Sequence, residues 1–376
     1  MNILVNYIGT RGAGPVFSLE MVKGLLKNGC NITAIISEHM ENYAEWKKLP
    51  IKQYVIKSYR NKWEYLFNSF FFSFRVGKYI KREFRDAEYD FLYVPMIQMW
   101  SYKINRLFPN VLHVVTVHDP EPHSSRLFSP RDIMYNSVCR KTIKSADRII
   151  ILSEIFRETI KKNYHYIDKD IVTIPHGRFS YYKNFLKKNE DIRDDKIHFL
   201  FFGRIESYKG LNLLYDAYAL LEKKYAGQCD LRVVGSGDFS EYIDKYTKLN
   251  TVEIVNRWIK DEEVVGYFEK KNTVLVIPYI TASQSGVIPI AMEMSCPVIA
   301  TNVGGISEQI RDKETGLLCQ PDANSLFTTL EYSINHWKEC GEMAEKACNE
   351  LENLNWDKLA GKLLDYIRDE KNKDNN

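Results

Sequence analysis

The sequence predicts two α/β domains, each a parallel sheet doubly wound with helices, and three observations predict it. Short apolar runs alternate with amphipathic helical stretches along most of the chain, as a parallel sheet with crossover helices requires. The alternation breaks once, at the polar stretch YYKNFLKKNEDIRDDK (181–196), and then restarts. The 376 residues also exceed what one hydrophobic core ordinarily supports. The expected domains are therefore 1–180 and 192–355, with a final helix at 356–376 packing back on the first.

In order, Asn2–Tyr7 reads as the first strand, followed by a Gly-rich turn and a helix over 17–28. Asn31–Ser37 is a second strand, and 91–95, 113–118, 148–153 and 171–175 complete the first half. The second half opens with a strand at Ile197–Phe202 and a helix at Leu211–Lys224. Strands at 231–234, 252–255, 274–277 and 297–301 follow, and a helix over 287–294 lies between the last two. Apolar residues 359, 363, 364 and 367 recur at helical spacing in the last element.

Net charge is only +3, yet it is unevenly shared. Residues 1–180 carry 27 basic and 17 acidic groups (+10), and the remainder carries 25 and 32 (−7). A basic first half suits an anionic partner: nucleic acid, a phospholipid surface or a phosphorylated acceptor. No nucleic-acid-reading motif accompanies the charge, so nucleic acid is not expected. The seven cysteines form no CxxC or Cys/His cluster, so neither a disulfide framework nor a metal site is implied. With no apolar run near the ~20 residues of a membrane span, a cytoplasmic protein is expected, possible residence on the inner membrane face included.

Three loops carry the chemistry. Gly9-Thr10-Arg11-Gly12-Ala13-Gly14 follows the first strand, where glycines let backbone N–H groups approach an anion; a plain tight turn explains it equally well. Arg204 leaves a strand end, and Lys209-Gly210 opens the next helix, two cations suited to a diphosphate or else solvated. Thr281-Ala282-Ser283-Gln284-Ser285-Gly286 precedes a helix with Pro289 in its first turn. Its unpaired amides suit an anion, and Ser283 or Ser285 could equally be a simple cap.

Order and spacing of FFGRIESYKGLNLLYDAYALL, LRVVGSGDFSEYI, VEIVNRWIKDEEVVGYFEKKNTVLVIPY and SGVIPIAMEMSCPVIATNVGGISEQI resemble glycosyltransferase family 4. The first half resembles it more loosely, through the Gly-rich turn, TVHDPEPH and IPHG. The resemblance implies a GT-B fold, two Rossmann-like doubly wound domains facing across a cleft. It implies a retaining, metal-independent transferase using a nucleotide-sugar donor, UDP- or GDP-linked, as substrate and no cofactor. Its acceptor would be a glycan or lipid-linked molecule, as in bacterial surface polysaccharide synthesis.

Residue by residue, the resemblance implies that Arg204 and Lys209 hold the donor diphosphate and stabilise leaving-group charge. Gly12, Gly14, Ser285 and Gly286 would approach the same diphosphate. His118 would contact the donor sugar near the reacting carbon; otherwise it is a strand-end histidine beside Asp119. Gly235, Trp258, Ile259, Ser283 and Gln284 would meet the nucleoside or sugar. The family commonly has two glutamates around the third loop, where this chain has Ala282 and Ile290. Glu293, three residues further on, is the candidate substitute. That departure keeps open a non-catalytic homologue that binds a partner transferase; a nucleotide-sugar epimerase is the other alternative. His176 and His123 read equally as functional or structural. Asp168-Lys169-Asp170 reads as a solvated turn rather than a metal site. Finally, the basic, aromatic segment 57–85 reads either as a helix lying on an anionic membrane or as a helix buried by its aromatic face.

Overall fold

The computed structural model describes residues 1–59, 62–72, 76–84, 87–120, 130–186, 196–269 and 272–374. The chain divides into two compact units, residues 1–177 with 355–376, and residues 178–354.

The first unit holds a seven-stranded parallel sheet: β1 (Asn2–Tyr7), β2 (Asn31–Ser37), β3 (Lys52–Ile56), β4 (Phe91–Val94), β5 (His113–Val117), β6 (Arg148–Ile151) and β7 (Ile171–Thr173). Their order is β3-β2-β1-β4-β5-β6-β7. The second unit holds β8 (Ile197–Phe202), β9 (Cys229–Gly235), β10 (Val252–Asn256), β11 (Thr273–Ile277), β12 (Val298–Thr301) and β13 (Leu317–Cys319), also all parallel. Their order is β10-β9-β8-β11-β12-β13. Central strands such as β4, β5 and β11 are buried along their whole length, which is why they read as continuous apolar runs without alternation.

Topology places the loops. Each sheet reverses its winding once, between β1 and β4 in the first unit and between β8 and β11 in the second. Loops leaving neighbouring strands diverge at such a point, so a crevice opens outside the strands' carboxyl ends. Residues 8–12 and 95–98 leave the first switch point; residues 203–210 and 278–287 leave the second.

Several boundaries differ from expectation. The first helix runs from Ala13 to Lys27, four residues earlier than predicted. Gly12, at φ +87°, ends the turn sharply, and Pro15 costs the first helical turn no hydrogen bond. The helix after β11 spans only Ile288–Glu293, capped by Val287 rather than a serine. Strand β3 was missed because, as an edge strand, it exposes Lys52 and Val55; β13 was missed because it is three residues long. The last helix spans Trp356–Asp374 and packs on Ala13–Lys27. Gly24 makes that packing possible: a methyl there would lie 2.3 Å from the Trp356 carbonyl oxygen.

The expected linker is in part a packed element. Arg178 already belongs to the second unit, and Ser180–Phe185 forms a 3₁₀ helix with Tyr181 and Tyr182 buried. Tyr182 Oη donates to Asp261 Oδ1 at 3.4 Å. Tyrosines supplied the apolar surface that the surrounding lysines concealed in sequence. Residues 187–195 lie outside the described residues.

Candidate active site

In the second unit the two switch-point loops meet at one side chain. Tyr279, fully buried two residues beyond β11, accepts a hydrogen bond from Lys209 Nζ at 2.5 Å. The ammonium also lies 3.8 Å from the Tyr279 ring centroid and 5.1 Å from that of Tyr208. On its other side the Tyr279 hydroxyl is 3.4 Å from Ser285 Oγ, where either group can donate. Lys209 has no carboxylate partner among the described residues. Arg204 differs: it is exposed and pairs with Glu206 at 3.2 Å.

Gln309 clamps the Ser285 peptide from both sides. The Ser285 N–H donates to Gln309 Oε1 at 2.8 Å, and Gln309 Nε2 donates back to the Ser285 carbonyl at 3.0 Å. The Ser285 amide, one of the donors expected to face an anion, is therefore committed within the protein. Its hydroxyl accepts weakly from Val287 N–H at 3.4 Å. Ser283 is buried, while Gln284 and Gly286 are half-buried in the same loop.

Gly235 has a structural reason to be glycine. At φ +152°, an added methyl would sit 1.7 Å from the Gly203 carbonyl oxygen, so backbone packs directly on backbone. Trp258 is half-buried and Ile259 buried just beyond the edge strand β10. Arg257 donates to the Trp258 carbonyl at 3.2 Å and grips Glu263 with two bonds of 2.6 and 3.0 Å.

Glu293, the candidate substitute for the absent family glutamates, is engaged within the second unit. Its side chain is fully buried, and its two oxygens take Arg178 Nη2 at 2.7 Å, Arg178 Nε at 3.1 Å and Lys183 Nζ at 2.8 Å. Burial alone would raise its pKa; the hydrogen bonds from Arg178 and Lys183 outweigh that and hold it below the usual range. The carboxylate is thus spent tying the 178–183 segment to the helix Ile288–Glu293. Ala282 and Ile290, at the family's glutamate positions, are both buried.

In the first unit, Gly12 is the one predicted glycine with room beside it: at φ +87°, an added methyl would meet nothing within 4 Å. Gly14 is enclosed, since a methyl there would lie 2.3 Å from Tyr7 Oη and 2.7 Å from Met96 Sδ. His118 follows β5 and bonds through Nε2 to the Pro95 carbonyl oxygen at 2.8 Å. A carbonyl accepts only, so Nε2 carries the proton and Nδ1 keeps its lone pair. Desolvation lowers the His118 pKa to about 4, against smaller raising effects of the Pro95 bond and Asp119. Near pH 7 the ring is neutral, a hydrogen-bonding group rather than a proton donor.

Neighbouring aromatic rings support it, with the His176 ring 6.0 Å from that of His118. Phe17 meets His118 edge-to-face at 4.7 Å, His176 at 5.3 Å and Trp356 at 5.0 Å. His176 is pushed to about 3, chiefly by burial and then by His118. Gly177 leaves room for the Trp356 ring, which a methyl would approach to 2.5 Å. Asp168 pairs with Lys161 at 3.1 Å, and Asp170 with Arg148 at 3.1 Å. His123 lies outside the described residues. For Tyr279, the sequence signal was its position, at the carboxyl end of a buried strand where sites gather; nothing signalled Gln309.

Comparisons with known proteins bear on the family and the fold. Residues 15–178 match the model for Glycosyltransferase Family 4, and residues 196–336 match that for Glycosyl transferases group 1. An uncharacterized glycosyltransferase of Haemophilus influenzae is 24% identical over 348 residues, 90% of this chain and 92% of its own length. The alpha-1,3/1,6-mannosyltransferase of Homo sapiens is 30% identical over 215 residues, 51% of either chain. Among solved structures, Anabaena HepE in complex with UDP and glucose aligns with a TM-score of 0.72 at 16% identity, covering 98% of this chain and 100% of that one. Sucrose-phosphate synthase from Thermosynechococcus elongatus aligns with a TM-score of 0.70 at 19% identity, covering 97% and 98%. The structural matches carry the fold and the sequence matches carry the family: the chain belongs to glycosyltransferase family 4 and is a glycosyltransferase of GT-B fold.

Proposed function

We propose that this glycosyltransferase moves a sugar from a UDP- or GDP-linked donor to a glycan or lipid-linked acceptor, with retention and without a metal ion, in surface polysaccharide synthesis. The observation that carries the reading is the meeting of Lys209 and the Ser285 loop at the Tyr279 hydroxyl. An ammonium without a carboxylate partner and a helix-preceding loop share one anchor, as a diphosphate leaving group requires. The bound UDP of the Anabaena relative supports the same donor class.

In the proposed step the bond between the sugar's anomeric carbon and the diphosphate oxygen breaks, and its electron pair leaves with the diphosphate. Arg204 and Lys209 stabilise the charge that develops there. The acceptor oxygen bonds to the anomeric carbon on the same face, and its proton passes to the departing phosphate. No protein nucleophile takes part, and Glu293, held by Arg178 and Lys183, is not free to be one. Neutral His118, with Nδ1 as acceptor, receives a sugar hydroxyl, and Gly12 supplies backbone approach.

Thermal shift against UDP, GDP, ADP and their sugar conjugates tests the donor. A ligand at 100 times its dissociation constant adds about 2.7 kcal/mol, and Lys209→Ala should abolish that gain. If none stabilises the wild type, the chain is instead a partner-binding homologue. An anomer opposite to the donor's, seen by proton NMR of the product, would overturn retention.

The acceptor side includes an anionic membrane surface. On the helix Lys62–Phe70, Trp63, Phe67 and Phe70 are 76%, 55% and 83% exposed, at i, i+4 and i+7. Tyr65 and Phe72 instead pack on Trp100, so the aromatic segment serves the core with one face and projects rings from another. Residues 60, 61, 73–75 and 85 of the segment lie outside the described residues. Projecting aromatics on the basic half of the chain suit the interface of an anionic bilayer. No helix among the described residues is long and apolar enough to cross one. Phosphatidylglycerol vesicles at low salt should sediment the wild type and leave a Trp63→Ser/Phe67→Ser/Phe70→Ser variant in solution; equal sedimentation would remove the helix from the reading.

A further inference from the structure

We infer that Tyr279 is the positioning residue for the Lys209 ammonium, setting the affinity of the second unit for a diphosphate without itself touching the ligand. The inference rests on the donor reading above and assigns a role to the tyrosine at which its two loops meet.

The argument starts from what a lysine lacks. Its ammonium sits on four rotatable methylene groups, so holding it in one place costs rotamer freedom. A carboxylate partner would hold it but would also neutralise the charge a diphosphate needs. Lys209 is held another way. The phenolic oxygen of Tyr279 accepts from Nζ at 2.5 Å, and its ring lies under the same ammonium at 3.8 Å. A neutral aromatic thus supplies both a hydrogen bond and a cation–π contact, and the full positive charge remains.

Tyr279 is in turn fixed from three directions. Its side chain is completely buried. Its carbonyl accepts from Thr301 Oγ1 at 2.5 Å. The flanking chain is tied to the lysine loop itself, because Ile280 N–H donates to the Tyr208 carbonyl at 2.8 Å. The hydroxyl also reaches Ser285 Oγ at 3.4 Å, in the loop that Gln309 clamps. One tyrosine therefore couples the lysine loop to the serine loop. An ammonium fixed before the ligand arrives loses little further freedom on binding, which is how preorganisation raises affinity.

The test is a double-mutant cycle of Tyr279→Phe and Lys209→Ala, read by isothermal titration with UDP, GDP and ADP and with the bare nucleosides. Phe keeps the ring and removes the hydroxyl, so the fold should survive; the unfolding midpoint of each variant checks this. The expected result is a five- to twenty-fold loss of diphosphate affinity in Tyr279→Phe, unchanged nucleoside affinity, and no further loss when Lys209 is already alanine. Tyr279→Leu, which also removes the ring, should lose more than Tyr279→Phe. An unchanged diphosphate affinity in Tyr279→Phe overturns the inference, as does an equal loss in the Lys209→Ala background. If no diphosphate binds the wild type, the donor reading fails and takes this inference with it.

Discussion

The carboxyl edges of the two sheets handle charge in opposite ways. In the first unit, Phe17, His118, His176 and Trp356 meet ring against ring, and burial pushes the two histidines to about 4 and about 3, so the cluster carries no formal charge near pH 7. In the second unit, the edge presents Arg204 and Lys209, while elsewhere the buried Glu293 carboxylate is held by Arg178 and Lys183, with Glu352 also on Arg178. A neutral edge suits sugar hydroxyls, which need directional acceptors; a cationic edge suits phosphate. Within the second unit, Lys209 is held by aromatic and hydroxyl groups, whereas Glu293 is held by counter-charges.

The largest effect expected from that contrast is on the scaffold. Glu293→Ala removes the buried carboxylate that holds Arg178 and Lys183, with Glu352 still on Arg178; the unfolding free energy in urea should fall by about 3 kcal/mol, the low end for breaking a buried pair. A loss confined to nucleotide affinity would instead return Glu293 to the ligand. Next comes a pair of glycines, one in each unit. Gly235→Ala forces a methyl against the Gly203 carbonyl and should cost about 3 kcal/mol through strain and overpacking. Gly12→Ala meets open space, so only its backbone, at φ +87° and ψ −160° in a region kept almost wholly to glycine, is penalised, by about 1–3 kcal/mol. If Gly12 faces the donor, that small stability change should accompany a larger fall in donor affinity. Parallel melts and titrations of the two variants would sharpen the comparison, and a proportional loss in both would break it.

A further effect is in pH. Both folded histidines titrate below the ordinary value near 6.5, so the unfolded chain binds more protons between that value and about 4. Stability should be complete above pH 6.5 and decline as pH falls toward 4. His176→Phe should flatten part of that slope, as seen in urea midpoints at pH 7.5 and 5. Equal slopes would mean that the first unit's edge is not held neutral by burial.

The loops of the second unit were the more legible in sequence. Arg204, Lys209 and the serine loop were readable because the strands before them are continuous apolar runs, and a parallel sheet sends each following loop to the same edge. The linker was misread because its composition is polar, yet Tyr181 and Tyr182 have their rings buried in the second unit. The partners of Glu293 were hidden because helix spacing says which residues share a face and not which cation waits opposite. Its partners Arg178 and Lys183 stand more than a hundred residues earlier.

By itself, then, the sequence determined the α/β class, most strands and the edge on which the functional loops would gather, since those follow from local periodicity and the handedness of parallel connections. Tertiary structure alone decided which glycines face open space and which face a carbonyl, since both appear in sequence as a missing side chain. It likewise decided that the Ser285 amide is consumed by Gln309 and that Lys209 is held by Tyr279 rather than by a carboxylate. Those are contacts between residues 24 and 70 positions apart, and no local pattern in a chain encodes which distant side chain will stand within hydrogen-bond reach.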